Sequence, residues 1–366
     1  MENLHRYLFC GGGSGGHLFP GISVAQEIKA RQPQSQICFL TTGRDIERRI
    51  LDDSEFEQIP IDSVTSSQLM RNPVVGLPSF IGAARRVRSL MRENPPRVVI
   101  GLGGFGSVPG ILAAMSLRIP AVILEQNVIA GRANSLLGLF SNRICTSFPH
   151  SREMRLPKVR CEWTGNPVRK EILEATASSN DTKPQRQLLV LGGSQGAHEI
   201  NRAFRDFCSR HGELLSDWTV IHQTGKSDQK EFQEFYNSMP LNITCSDFID
   251  EMGRELSRTS LVISRAGATT LAELAAIGLP AMVIPDPNSI RNHQYLNANY
   301  YAQRGGVDLV EEEHGGEEFY SRFHRVLESL LNDSDKLTKM AKKQRESGKP
   351  DATQRVVDII LSQRKL

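Results

Sequence analysis

Arg6-Tyr7-Leu8-Phe9-Cys10-Gly11-Gly12-Gly13-Ser14-Gly15-Gly16-His17 is a short apolar run that empties into glycines and leads into the helical stretch ISVAQEIKA. Such a run has the length of a buried strand. Glycines after it remove the β-carbons that would keep a backbone away from a diphosphate or sugar, and they leave N–H groups exposed at the start of the next helix. The design recurs in the other half of the chain, where Gln187-Leu188-Leu189-Val190-Leu191 runs into Gly192-Gly193-Ser194-Gln195-Gly196-Ala197-His198. Around the first turn, QICFLTT, a helix near Ile46 to Leu51, VRSLMRE and RVVIGL alternate strand with helix. Around the second, WTVIHQTG, NITCSDFI, LVISRAG and PAMVIP do the same. This alternation predicts βαβ units and an α/β fold with two parallel sheets in sequence.

At 366 residues the chain exceeds the usual single-core size. The break is expected at Gly165-Asn166-Pro167, which the polar stretch ATASSNDTKPQRQ follows. Domains of 1–166 and 167–348 result. A last helix over 349–366, with Val356, Val357, Ile360 and Leu361 on one stripe, is expected to return to the first domain. Hydrophobic residues at 39%, charged residues at 23% and a net charge of +3 describe an ordinary globular chain. That charge is too mild for a nucleic-acid partner, and basic and aromatic residues are not interleaved. The six cysteines show no paired spacing and read as reduced thiols. The apolar stretch from Val108 to Leu124 is broken by Pro109, Arg118 and Pro120, which argues against a spanning helix, and the first residues read as a strand and not as a signal sequence.

Neither glycine turn is a clean GxGxxG, although Asp45 lies beyond the second strand. One such turn alone is weak evidence, because tight strand-to-helix turns also need glycine for packing; two in matched positions favour ligand binding. A third cluster, Gly101 to Gly110, follows the RVVI strand. It is either a flexible loop or another anion cradle, with Gly103, Gly104 and Gly106 set to meet an acceptor diphosphate.

The motifs GGGSGGH, GGFGSVPG, LEQNVIAG, GNPVR, GGSQGA, FIDEM, SRAGATTLAE and NHQYLNA occur in an order and spacing that resembles the MurG family over nearly the whole chain. Those bacterial enzymes move N-acetylglucosamine from UDP-N-acetylglucosamine to undecaprenyl-linked lipid I. The resemblance implies a GT-B fold, two Rossmann-like domains facing a central cleft, with the donor held mainly by the second domain and the lipid acceptor by the first. It also implies inversion at the anomeric carbon, which gives the β-linked lipid II. By position, the family's donor contacts fall on Ser14, Gly15, Gly16, Asn127, Arg169, Ser194, Ile249, the stretch Ala268, Thr269, Thr270, Leu271, Ala272 and Glu273, and Gln294. Each fits its assignment chemically. Ser194 and Arg169 suit phosphate, Glu273 can accept both ribose hydroxyls, the backbone at Ile249 can read uracil, and the Gln294 amide suits sugar hydroxyls. Taken alone, each favours the bland reading, Glu273 as a solvated helix residue, Arg169 as a surface cation and Gln294 as merely polar; the resemblance favours function. Ser14 stands where the family more often has threonine, which keeps the hydroxyl.

The reaction needs a proton acceptor for the attacking hydroxyl and charge stabilisation for the departing diphosphate. His17 is the candidate base, with hydrogen bonding to the acceptor or loop capping as its alternative roles; Glu125 and Asn127 are the other candidates. No DxD pair offers a metal site, and Asp52-Asp53 lacks the context, so no metal or cofactor is expected. Helix dipoles, backbone amides and Arg169 would take the cation's part. Between Leu69 and Arg97, Met70, Val74, Val75, Leu77, Phe80 and Ile81 mix with Arg71, Arg85, Arg86, Arg88 and Arg92. The mixture reads either as a helix with a solvated basic face or as contact with an anionic membrane surface, and the lipid-linked acceptor favours peripheral binding at the cytoplasmic face. A sugar-nucleotide epimerase of the same two-domain fold, a NAD-dependent oxidoreductase and a non-catalytic UDP-sugar binder are the competing readings.

Overall fold

A computed structural model describes residues 5–52, 54–61, 73–149, 160–178, 186–192, 196–312 and 316–364. The chain divides into two compact units, Met1–Arg169 with Asp351–Leu366, and Lys170–Pro350.

Among the described residues the first unit holds a seven-stranded sheet in the order β3-β2-β1-β4-β5-β6-β7. Its strands are β1 Arg6–Cys10, β2 Gln36–Thr41, β3 Glu57–Pro60, β4 Val98–Gly101, β5 Ala121–Glu125, β6 Arg143–Thr146 and β7 Cys161–Trp163. All pairings are parallel, with Leu8 opposite Cys38 on one side and Val99 on the other. Helices cover both faces, so the central strands are apolar on both sides and not alternating. On one face Tyr7, Phe9, Phe39, Val98, Ile100 and Val122 meet Leu18, Val24 and Ile28 of the helix Gly15–Arg31. The helix Ala352–Ser362 closes that same core with Val356, Val357, Ile359 and Ile360. On the other face, Leu8, Cys38, Val99 and Ile123 meet Val87 and Met91 of Pro73–Glu93 and Ile111 of Val108–Ser116.

The second unit repeats the scheme with six described strands in the order β10-β9-β8-β11-β12-β13. They are β8 Gln187–Leu191, β9 Thr219–Gln223, β10 Ile243–Ser246, β11 Leu261–Ser264, β12 Ala281–Val283 and β13 Val307–Leu309, again parallel throughout. In each sheet the winding direction reverses once, between β1 and β4 and between β8 and β11. At such a switch point adjacent strands send their following loops to opposite faces, which leaves a crevice at the carboxyl ends where ligands bind. Both paired glycine turns start there.

Candidate active site

In the first unit three neighbouring strands deliver their carboxyl ends to one place. The turn after β1 carries His17, the segment after β4 carries Leu102 to Gly106, and the loop after β5 carries Gln126 and Asn127. The two glycine-rich segments touch: a β-carbon on Gly11 would lie 2.5 Å from the Gly103 carbonyl, and one on Gly103 would lie 3.1 Å from the His17 ring. Gly11 and Gly103 also have φ of 99° and 101°, the left-handed region that side chains avoid. The cluster Gly101 to Gly110 is thus no free loop. It packs against the first turn, and Gly106 sits over Thr42.

His17 lies in the first turn of the helix Gly15–Arg31, half-buried, with its Nδ1 3.1 Å from Gln126 Oε1. Burial lowers its pKa below the usual histidine value, partly offset by the bonds to Gln126 and the Leu102 carbonyl. Near neutral pH the ring is therefore uncharged, the state a proton acceptor requires. Ser14 precedes the helix in extended conformation and is exposed, and its hydroxyl makes no capping bond, so it remains on offer beside Gly15 and Gly16.

What holds this turn is a residue the sequence does not advertise. Glu47, wholly buried, accepts from Gly13 N–H at 2.9 Å, Thr42 N–H at 2.8 Å, the Thr42 hydroxyl at 3.0 Å and Arg44 N–H at 3.2 Å. Arg44 Nη1 donates in turn to the Gly13 carbonyl at 3.1 Å. Thirty-four positions separate Glu47 from Gly13. No local signal joins them.

Glu125 is engaged by its surroundings. It is 1% exposed, and its oxygens accept from Asn127 N–H at 3.0 Å, Gly131 N–H at 3.0 Å and Asn134 Nδ2 at 2.8 Å. Burial pushes its pKa up while those donors pull it down. A carboxylate so occupied organises the loop 126–131. Asn127, Val128 and Ile129 of that loop are half-buried. Arg169 stacks its guanidinium 4.5 Å above the Phe19 ring, one turn along from Gly15 and Gly16, so it is an oriented cation and not a loose surface one.

In the second unit, Ser194 lies outside the described residues, as do Gly193 and Gln195. The glycines flanking them are needed for packing as well: a β-carbon on Gly192 would lie 2.9 Å from the Gln223 carbonyl, and one on Gly196 2.6 Å from that of Thr224. Below this turn runs a polar chain that is exposed at His198 and buried from Asp228 inward. His198 Nδ1 is 2.7 Å from Asp228, Asn201 Nδ2 donates to Asp228 at 2.8 Å, Asn201 Oδ1 is 3.0 Å from His222 Nε2, and His222 Nδ1 is 2.7 Å from the Tyr236 hydroxyl. Burial pushes the pKa of His222 down to about 3.

After β11, Gly267 caps the helix Ala268–Ile277, whose first turn presents its amides at the switch point. Glu273 is 4% exposed, which sets aside the solvated-helix reading, and Thr269 is buried beside it while Thr270 is half-buried. Leu271 is fully buried in the interior and its N–H donates to the Gly267 carbonyl at 3.0 Å, so it supports the helix from behind. Six consecutive helical residues cannot share one face at 3.6 residues per turn. Gln294 is more than polar, because its Oε1 accepts from Ala266 N–H at 3.1 Å and Asp286 N–H at 3.0 Å, which turns the amide nitrogen the other way. Ile249 is buried in the segment between β10 and the helix Met252–Arg258.

Along Pro73–Glu93, Leu77 and Ile81 are 52% and 41% exposed, and Arg85, Arg86, Arg88 and Arg92 are exposed further along. Met70 and Arg71 lie outside the described residues, as do the side chains of Val74 and Val75. Among the described residues no helix is long and apolar enough to cross a membrane.

Residues 7–146 match the glycosyltransferase family 28 N-terminal domain and 187–356 the family 28 C-terminal domain. A UDP-N-acetylglucosamine--N-acetylmuramyl-(pentapeptide) pyrophosphoryl-undecaprenol N-acetylglucosamine transferase of Geobacter metallireducens is 33% identical over 98% of this chain and 99% of its own. The transferase of the same name from Geobacter sulfurreducens is 34% identical, over 98% and 99%. The crystal structure of MurG from Acinetobacter baumannii superposes with a TM-score of 0.75 at 28% identity, covering 98% of this chain and all of that one. A UDP-GlcNAc 2-epimerase of Neisseria meningitidis reaches a TM-score of 0.67 at 14% identity over 99% of this chain and 100% of that one, a likeness of fold alone.

Proposed function

The chain belongs to the MurG family within glycosyltransferase family 28, with two Rossmann-like parallel-sheet units of the GT-B kind, and on that premise we propose that it transfers N-acetylglucosamine from UDP-N-acetylglucosamine to lipid I, giving lipid II. The observation that carries the reading is His17, uncharged near neutral pH and enclosed by glycine-rich backbone at the β1/β4 switch point. The acceptor hydroxyl loses its proton to His17 as its oxygen attacks the anomeric carbon. The bond from that carbon to the diphosphate breaks, UDP leaves, and inversion gives a β-linkage. Gly103, Gly104 and Gly106 present backbone to the acceptor diphosphate, and Asn127 contacts the donor.

The second unit takes the donor. The amides at Ala268 to Thr270 face the diphosphate together with Ser194. Glu273 accepts the ribose hydroxyls, the Ile249 backbone reads uracil and the Gln294 amide nitrogen donates to the sugar. Arg169, with Ser14, Gly15 and Gly16, adds charge stabilisation from the first unit without a metal or cofactor. The test is incubation with UDP-N-acetylglucosamine and a lipid I analogue. A disaccharide product with release of UDP supports the transferase; UDP binding without product leaves a binder, and an epimerised sugar nucleotide leaves the epimerase.

The lipid-linked acceptor and the helix Pro73–Glu93, apolar at Leu77 and Ile81 and basic beyond, support peripheral binding to an anionic bilayer at the cytoplasmic face. Changing Arg85, Arg86 and Arg88 together to glutamine is expected to weaken sedimentation with anionic vesicles at least tenfold; unchanged sedimentation rejects that role.

A further inference from the structure

Gln126 sits between two residues with chemical assignments and, together with the Leu102 carbonyl, addresses the His17 ring through hydrogen bonds. It is 2% exposed, at the end of β5. Its Nε2 donates to the Leu102 carbonyl at 3.0 Å and its Oε1 lies 3.1 Å from His17 Nδ1. A carbonyl only accepts, so the amide cannot be reversed: its NH2 must face Leu102 and its oxygen must face the ring. An oxygen at 3.1 Å from a ring nitrogen is a hydrogen bond only if that nitrogen carries the proton. In an uncharged imidazole the other nitrogen then bears the lone pair.

We propose that Gln126 is a positioning residue that fixes His17 as the Nδ1–H tautomer and so leaves Nε2 as the basic atom for the acceptor hydroxyl. The consequence for the transfer rests on the base reading of His17 given above, whereas the tautomer itself does not. The chain of control runs across three adjacent strands. The backbone after β4 orients the amide at the end of β5, and the amide orients the ring after β1. Gly103 belongs to the same device, because any side chain there would push the ring off this axis, its β-carbon lying 3.1 Å from two ring atoms. Glu125, next in sequence, holds the following loop through other donors and does not touch the ring. In function Gln126 is the counterpart of the buried acid that orients histidine in hydrolases, with a neutral acceptor in place of a charged one.

The test is 15N NMR of the full-length protein, with the His17 signals assigned by their loss in His17→Ala, together with steady-state kinetics. In the wild type the protonated, pyrrole-type nitrogen is expected to be Nδ1. In Gln126→Met, close in size and unable to hydrogen bond, the ring is expected to shift to Nε2–H or to a mixture. With it kcat is expected to fall about tenfold to a hundredfold, a fraction of the about 10²–10⁴ a general base supplies, with KM for UDP-N-acetylglucosamine changed less than about twofold. Gln126→Ala serves as the second variant should Met disturb folding. A wild-type ring protonated on Nε2, or a tautomer indifferent to both substitutions, overturns the proposal. A ring that behaves as expected in a protein whose His17→Ala variant keeps full kcat would overturn the base reading and leave the tautomer assignment standing.

Discussion

His17 and Glu125 are both titratable and both beside the first switch point, yet their surroundings send them to different tasks. Burial lowers the His17 pKa, so its imidazolium is disfavoured in the folded protein relative to the unfolded value near 6.5. An acceptor role requires the neutral ring, so activity should persist as the pH falls through 6.5 and decline only below it. A kcat/KM profile for UDP release whose acid limb lies above 6.5 contradicts this. His17→Gln should lower kcat by about 10²-fold or more. Glu125 has its oxygens taken by three close donors. Glu125→Gln forces an NH2 against those donors, with an expected loss of about 1–3 kcal/mol in chemical denaturation, while the acid limb of the rate profile stays in place. An acid limb that vanishes in Glu125→Gln would return Glu125 to the list of proton acceptors. Both residues were legible as candidates from composition and position. Their division of labour was not, because it depends on who donates to whom across strands.

At the level of elements, a polar group or chain lies behind each of the two paired glycine turns. In the first unit that group is Glu47 in the helix Asp45–Leu51, and in the second it is the chain from His198 through Asp228 and Asn201 to His222 and Tyr236. Such chains stay neutral or paired because an unpaired charge would be costly indoors. The pKa of His222, pushed down to about 3 by burial, has a stability consequence. Its unfolded value is near 6.5, so below that pH the unfolded chain binds a proton that the folded one refuses. Stability contributed by neutral His222 is fully present above pH 6.5 and falls by about 1.4 kcal/mol per pH unit between 6.5 and 3. Urea titrations between pH 4 and 6 should show that slope reduced by this amount in His222→Gln; identical slopes would mean the ring is protonated in the fold. The strands β1, β2, β4 and β8 to β12 were readable from apolar runs and glycines, whereas β6 and β13 were not. The edge strands β3 and β7 were not, since EQIP and CEW carry little apolar signal and are strands only because β2 and β6 offer open edges.

Across the whole molecule, the last helix joins the two ends of the chain in one core. Thr353 donates its hydroxyl to the Val168 carbonyl at 3.3 Å, and Ile360 is fully buried among residues of β1 and the helix Gly15–Arg31. Ile360→Ala should destabilise the first unit by about 2–5 kcal/mol through the cavity it leaves. UDP binding, assigned mainly to Lys170–Pro350, should be largely retained. Loss of UDP affinity equal to the loss of stability would place the donor site elsewhere. What the sequence by itself determined is the class of the fold, two parallel sheets each opening through a glycine turn, because strand and helix periodicities and turn residues are local properties of the chain. The family was legible too, since motif order survives without coordinates. What only the tertiary structure decided is which polar atoms meet. Gly13 finds Glu47, His17 finds Gln126, and Glu125 is withdrawn from solvent, because hydrogen-bond partners are chosen by the winding of the sheet, which brings together residues far apart along the chain.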